Sequence, residues 1–74
     1  MEYYNTEEQD LFNTYILYQQ VMTVDDTQYK FYYFDIDITD DELKRLFPTM
    51  EINPNIYVKV SNQFELIEVI IEIN

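Results

Sequence analysis

The stretch from residue 29 to residue 42 decides the fold, and it reads Tyr-Lys-Phe-Tyr-Tyr-Phe-Asp-Ile-Asp-Ile-Thr-Asp-Asp-Glu. Its first ten residues are rich in aromatic and β-branched types, which predicts a strand over 29–38. The last four residues form a capping box, in which a Thr and a Glu three positions later satisfy each other's backbone N–H groups. A helix is therefore predicted to begin at 39–42, and Pro48 ends it.

The residues before this strand predict a β-hairpin and an N-terminal helix. The polar segment 25–28 separates the strand from the β-rich run 15–24. The chain contains no Gly, and a two-residue type I′ turn needs a positive φ at both central residues. We therefore expect a four-residue loop over 25–28. Upstream, Thr6-Glu7-Glu8-Gln9 fits a capping box and predicts a helix from about Glu7; its end stays open, since 15–24 suits a strand equally well.

The residues after the second helix predict two more strands. Segment 56–60 alternates β-branched and polar types, and 61–63 is a turn. Segment 64–73 fits a helix by the spacing of its acids, but its β-branched content favours a strand. The predicted order α–β–β–α–β–β gives one domain over 1–74. Its fold class is α+β, a small antiparallel sheet of about four strands with two short helices.

Size and composition predict a homodimer. The chain has 74 residues and a net charge of −11, from 15 acidic and 4 basic side chains. A domain this small is only marginally stable without disulfides, a metal or oligomerisation. Cys and His are both absent, so oligomerisation is the expected support. We expect the contact on the outward face of the aromatic run 29–34, or along 64–73 as a strand paired or swapped between copies.

The missing residue types also restrict chemistry, and we expect no enzymatic activity, cofactor or metal. Without Gly, His or Cys there is no phosphate-binding loop, no Ser–His or Cys–His nucleophile and no Cys/His zinc site. A calcium loop starting at Asp35 would have Asp40 in place of Gly and Leu46 in place of Glu. The chain is too small to enclose a carboxylate pair in a deep cleft.

Five carboxylates follow one another closely, and we call them the acidic segment: Asp35, Asp37, Asp40, Asp41 and Glu42. If the strand continues to residue 38, alternation places Asp35 and Asp37 on one face. Such a row is able to present charge to a basic groove in place of phosphates. The alternative is a solvated strand end followed by ordinary capping. The surrounding stretch 25–42 carries seven acids, which is more than capping requires.

The middle of the chain resembles the small dimeric phage inhibitors of uracil-DNA glycosylase. The likeness comprises a short acidic hairpin turn, a Tyr-rich second strand, an apolar–polar–apolar–Thr–Asp–x–Glu helix start and a later β-rich strand. The matching residues are Asp25-Asp26-Thr27-Gln28-Tyr29-Lys30-Phe31-Tyr32-Tyr33, then Ile36-Asp37-Ile38-Thr39-Asp40-Asp41-Glu42, and 56–60. The resemblance implies a DNA mimic in which Glu42 takes the place of a phosphate. It also implies an apolar pocket across the dimer, walled by Leu43, Leu46 or Phe47, that traps an apolar side chain on the DNA-intercalating loop of the enzyme.

Charge and composition agree with such a partner. A chain this acidic repels nucleic acid and anionic lipid, so its expected partner is the basic DNA-binding surface of a host protein. No apolar run reaches the ~18 residues of a membrane span, and the N-terminus is unlike a signal peptide, so we expect a location in the bacterial cytoplasm. Abundant Ile, Asn, Tyr and Phe suit an AT-rich phage or mobile element. The alternatives are an anti-restriction or anti-CRISPR inhibitor, and a structural or assembly protein.

Overall fold

The computed structural model describes residues 6–73 and follows the predicted order of elements. The elements are α1 (Thr6–Tyr15), β1 (Ile16–Val24), β2 (Thr27–Asp35), α2 (Asp40–Leu46), β3 (Ile56–Ser61) and β4 (Leu66–Ile73). The predicted α+β fold, with four antiparallel strands and two short helices, is confirmed. Among the described residues no helix is long and apolar enough to cross a membrane.

The strands lie in the order β1-β2-β4-β3, so β2 and β4 are interior. Strand β4 pairs with β2 through Phe34 opposite Ile67 and Tyr32 opposite Val69, and with β3 on its other side. The prediction of a strand in 64–73 is thus confirmed. Because β4 is paired on both sides within its own chain, it has no free edge along which to accept a strand from a second copy.

The two helices cover one face of the sheet, and the core lies between these layers. Phe34 and Val69 are fully buried there. The Phe34 ring meets Phe12 of α1 and Phe47 after α2 edge-on, with centroid distances of 5.7 and 6.0 Å. Each large side chain buried in this way contributes about 1.5–3 kcal/mol. Phe34 therefore joins both helices to the centre of the sheet.

The opposite face carries no helix in the described part of the chain, and we call it the open face. The register places Tyr33, Phe31 and Ile70 there, since their strand neighbours face the core. Tyr18 of β1 lies beside Tyr33, with ring centroids 5.9 Å apart. The aromatic run of β2 therefore divides between the core and an aromatic outer surface.

The β1–β2 turn differs from the prediction. Val24 pairs with Thr27, so the loop has two residues rather than four. Asp25 and Asp26 have φ angles of 50° and 65°, the left-handed conformation at both central positions that a type I′ turn requires. Short polar side chains such as that of Asp tolerate this region, which is why the turn forms without Gly.

The left-handed conformation of Asp26 is testable by two substitutions that remove the same charge. We expect Asp26→Gly to be more stable than Asp26→Ala by ~1 kcal/mol, because only Ala adds the steric cost of a Cβ without the local hydrogen bonding of Asp. Urea denaturation would measure the difference, which corresponds to about 4–8 °C in melting temperature. Equal stability of the two variants would contradict the type I′ turn.

Candidate acidic interaction site

The acidic segment starts in a turn rather than along a strand. Strand β2 ends at Asp35, whose carboxylate accepts a hydrogen bond from the Asp37 N–H at 2.9 Å. The Ile38 N–H donates to the Asp35 carbonyl at 3.1 Å, and Ile38 turns into the core. The predicted strand to residue 38 is therefore wrong. An Asp side chain able to bond the backbone two residues ahead competes with the strand ladder at this point.

A capping box then starts α2, as predicted. The Thr39 hydroxyl accepts a hydrogen bond from the Glu42 N–H at 3.2 Å, and Glu42 Oε1 accepts one from the Thr39 N–H at 2.9 Å. Asp40 and Asp41 occupy the first turn, where the helix dipole favours negative charge. The helix ends at Leu46, two residues before Pro48. The box thereby fixes where each acid of the first turn projects.

Glu42 is occupied by its own chain. Its carboxylate caps α2 and also accepts a hydrogen bond from the Tyr15 hydroxyl at the end of α1. The backbone bond from Thr39, with the Thr39 and Tyr15 hydroxyls, lowers the pKa of Glu42. Partial burial and Glu42 raise the pKa of Tyr15. Sequence reasoning missed Tyr15, because its helical spacing marked it only as part of an apolar face.

Three other acids of the segment are solvent-exposed: Asp37, Asp40 and Asp41. None of them takes part in an ion pair within the described part of the chain. The two nearby bases have other partners, since Lys44 lies 2.8 Å from Glu51 and Arg45 pairs with two acids of α1. These surface pairs are individually weak, and Lys44 also lies within electrostatic range of Asp40 and Asp41, which help to raise its pKa.

The two remaining bases of the chain lie on the sheet. Lys30 of β2 sits over the Tyr32 ring, with its Nζ 5.4 Å from the centroid. Lys59 of β3 lies directly opposite Glu68 of β4 in the strand register. The acidic segment therefore keeps an excess of negative charge over the nearby Lys44 and Arg45, and such an excess attracts a basic surface at long range.

The apolar pocket implied by the resemblance is not present as an accessible site in the single chain. Leu43 and Leu46 are 1% and 2% exposed, and Phe47 is 6% exposed. All three pack against the sheet as part of the core. They follow the capping box at helical spacing, so the face opposite the exposed acids must fill the core. They are core residues, and their side chains offer a partner almost no surface.

An exposed aromatic residue lies in a loop whose backbone bonds to the acidic segment. The β3–β4 loop spans 62–65, so it begins one residue later and ends two residues later than the predicted turn 61–63, and Glu65 has a φ of 54°. The Ile36 N–H donates to the Glu65 carbonyl at 3.2 Å, which ties this loop to the segment. The neighbouring Phe64 is 69% exposed. Sequence reasoning assigned Phe64 to the ambiguous strand and missed this placement.

The described residues contain no group of three or more acids placed to hold a metal ion. The arrangement therefore consists of exposed carboxylates on a fixed turn and helix start, with an exposed Phe64 in the loop that bonds to this turn. Its exposed carboxylates are negatively charged hydrogen-bond acceptors.

Comparison of the chain with family models, curated proteins and solved structures gave no match.

The role of Glu42 predicts a specific pH dependence. Folding lowers the pKa of Glu42 from its ordinary 4.5, so the folded state binds fewer protons than the unfolded state near that pH. The wild type should have a larger free energy of unfolding than Glu42→Gln. This difference should have its full size above pH 4.5 and should shrink as the pH falls through the folded-state pKa of Glu42.

Two measurements check this dependence. Urea denaturation of both proteins between neutral and acidic pH gives the free-energy difference, and carboxyl NMR titration gives the pKa of Glu42. Tyr15→Phe removes a hydrogen bond to the carboxylate and should move that pKa up, towards 4.5. A pKa that is unchanged in Tyr15→Phe would contradict the contact.

Proposed function

We propose that this protein is a DNA-mimic inhibitor that binds the DNA-binding surface of a host DNA-processing enzyme, most specifically uracil-DNA glycosylase. The observation that carries the proposal is the set of exposed carboxylates of the acidic segment, whose surrounding bases have other partners. A groove built for phosphates presents cationic side chains and N–H donors. Asp37, Asp40 and Asp41 offer acceptors of the same charge sign.

Preorganisation supports this role. The carboxylates lie on a segment held by the Asp35 turn and the capping box rather than on a free tail. A surface that is already ordered loses less conformational entropy when it binds. A rigid acidic surface therefore binds a basic groove more tightly than a disordered chain of equal charge.

The charge also predicts how binding would depend on salt. Electrostatic steering raises association rates to about 10⁸–10⁹ M⁻¹s⁻¹ at low ionic strength. Exposed charges are screened over roughly 8 Å at physiological ionic strength. We therefore expect the association rate to fall as salt rises.

Phe64 provides the apolar part of the proposed contact. Its ring is exposed, and the next residue of the same loop bonds to the acidic segment; a desolvated aromatic side chain contributes far more binding energy than a peripheral charge pair. In the proposed complex the acids accelerate association and Phe64 slows dissociation. Phe64 replaces the buried pocket residues in the mechanism implied by the resemblance.

The glycosylase is the favoured target because the sequence resemblance points to it and its chemistry fits. Such an enzyme extrudes a base from DNA and must hold the backbone in a basic groove. A restriction or CRISPR nuclease offers a comparable surface, so these remain the alternative targets. An assembly protein is a different class, and the aromatic residues of the open face are the observation that favours it.

We expect the wild type to abolish uracil excision by a bacterial uracil-DNA glycosylase when the two proteins are near equimolar. Asp37→Asn/Asp41→Asn should weaken inhibition at least ~10-fold, or ~1.4 kcal/mol. The control Asp25→Asn/Asp26→Asn removes the same charge at the other end of β2 and should change inhibition by only about 2-fold. Release of uracil from a single-stranded oligonucleotide is the measurement.

Each outcome of this titration has a definite meaning. If the two double variants lose inhibition equally, binding depends on net charge rather than on the acidic segment. No inhibition at about tenfold excess would reject the glycosylase as the target. Parallel titrations against a restriction endonuclease and an RNA-guided nuclease then test the alternative targets, and inactivity against all three would reject the proposal.

The contribution of Phe64 is tested separately. Phe64→Ala should leave the melting temperature nearly unchanged, because the ring is exposed, and should raise the dissociation rate about 10-fold or more. The control Ile73→Ala removes an exposed apolar side chain at the opposite end of β2, where Ile73 pairs with Gln28. Surface plasmon resonance with the immobilised target enzyme gives the association and dissociation rates of each variant. Unchanged dissociation in Phe64→Ala would remove this residue from the interface.

A further inference from the structure

The two edge strands of the sheet differ in how they are protected. Strand β3 is only six residues long, carries Lys59 and starts two residues after Pro54. Short length, Lys and Pro are the features by which proteins prevent an edge strand from pairing with another chain. Strand β1 is nine residues long and contains no charged residue and no Pro.

Strand β1 also exposes apolar side chains. Five of its nine residues are large, apolar and more than 40% exposed: Leu17, Tyr18, Val21, Met22 and Val24. A long, uncharged and apolar edge strand is a template for strand pairing unless something covers it. In a chain with a charge of −11, a nine-residue edge strand without a charged residue lets a second copy pair with it without repulsion between the two paired strands.

The turn geometry shows which backbone groups of β1 are free to pair. Val24 and Thr27 flank a two-residue turn and therefore exchange both hydrogen bonds. Bonded pairs alternate along an antiparallel ladder, so Gln19, Val21 and Thr23 direct their N–H and C=O groups away from β2. The bulge between Ile16 and Tyr18 lies outside this stretch.

We propose that β1 pairs with β1 of a second copy, antiparallel and with Val21 on the twofold axis. In this register Val21 faces Val21, and Gln19 faces Thr23, so the three residues with outward groups face each other. About six backbone hydrogen bonds form across the interface. The same surface serves both copies, as a closed twofold dimer requires.

The side chains fit this register. On the open face Tyr18 lies opposite Val24 of the second copy, and Gln20 lies opposite Met22, within reach of cross-strand contact. On the helix-covered face Val21 is 54% exposed, so the helices leave room for the incoming strand. The Asp25–Asp26 turns of the two copies lie at opposite ends of the ladder and do not face each other.

The resulting dimer has one continuous eight-stranded sheet. A twofold axis perpendicular to the sheet places both open faces on one side and both helix layers on the other. The two acidic segments lie at opposite ends of the paired strands, away from the interface. The pairing does not depend on the proposed inhibitory function, and the tests below require no enzyme.

Disulfide cross-linking tests the register, because the chain has no Cys. Directly opposite bonded residues have Cα atoms about 5.5 Å apart, a separation that a disulfide spans. Val21→Cys should form a covalent dimer under mild oxidation. The matched control is Val60→Cys on edge strand β3, where Val60 is 57% exposed on the same face, and it should remain monomeric on a non-reducing gel.

The oligomeric state tests the pairing without a covalent bond. Sedimentation equilibrium of the wild type at tens of micromolar should give twice the 9.1 kDa chain mass. Val21→Lys places two like charges on the twofold axis and should give the single-chain mass, whereas Val60→Lys should leave the dimer intact. A monomeric wild type, dissociation by Val60→Lys alone, or cross-linking only through Val60→Cys would overturn the proposal.

Discussion

The arrangement of the molecule depends on the hydrogen bonds exchanged between Thr39 and Glu42. They start α2 at Asp40, and this starting point determines which of its side chains meet the sheet. Leu43 and Leu46 then enter the core while Asp40 and Asp41 face solvent. A start shifted by one residue would rotate the helix by about 100° and direct acids towards Phe34. One local interaction thus determines both the core packing and the acidic surface.

Short helices determine what remains uncovered. With ten residues in α1 and seven in α2, the helical layer covers one face of the sheet and only part of its width. The aromatic open face and the exposed side of β1 follow from this shortage of covering elements rather than from any single residue. A chain of this length leaves apolar surface exposed unless it acquires a partner.

The sequence predicted the element order and the α2 capping box because both arise from local patterns. It failed where the outcome depended on a competing local bond or on contacts distant in sequence. Asp35 ends β2 early because its carboxylate accepts a hydrogen bond from the Asp37 N–H. Asp25 and Asp26 adopt the left-handed conformation that was expected to require Gly. The interior position of β4, the contact between Tyr15 and Glu42 and the burial of Phe47 all depend on tertiary packing, which periodicity does not encode.

The occupation of Glu42 changes how the acidic segment can act. A carboxylate has about four acceptor sites, and the backbone and hydroxyl of Thr39 together with the Tyr15 hydroxyl already use three of them. A phosphate mimic has to offer its oxygens to the partner, and Glu42 has only about one acceptor site left for this unless it releases its helix cap. Asp40 and Asp41, in the same first turn of α2 and free of ion pairs among the described residues, carry the same charge without that conflict. In this chain Glu42 acts as the positioning residue, and its exposed neighbours supply the charge that a basic groove would meet.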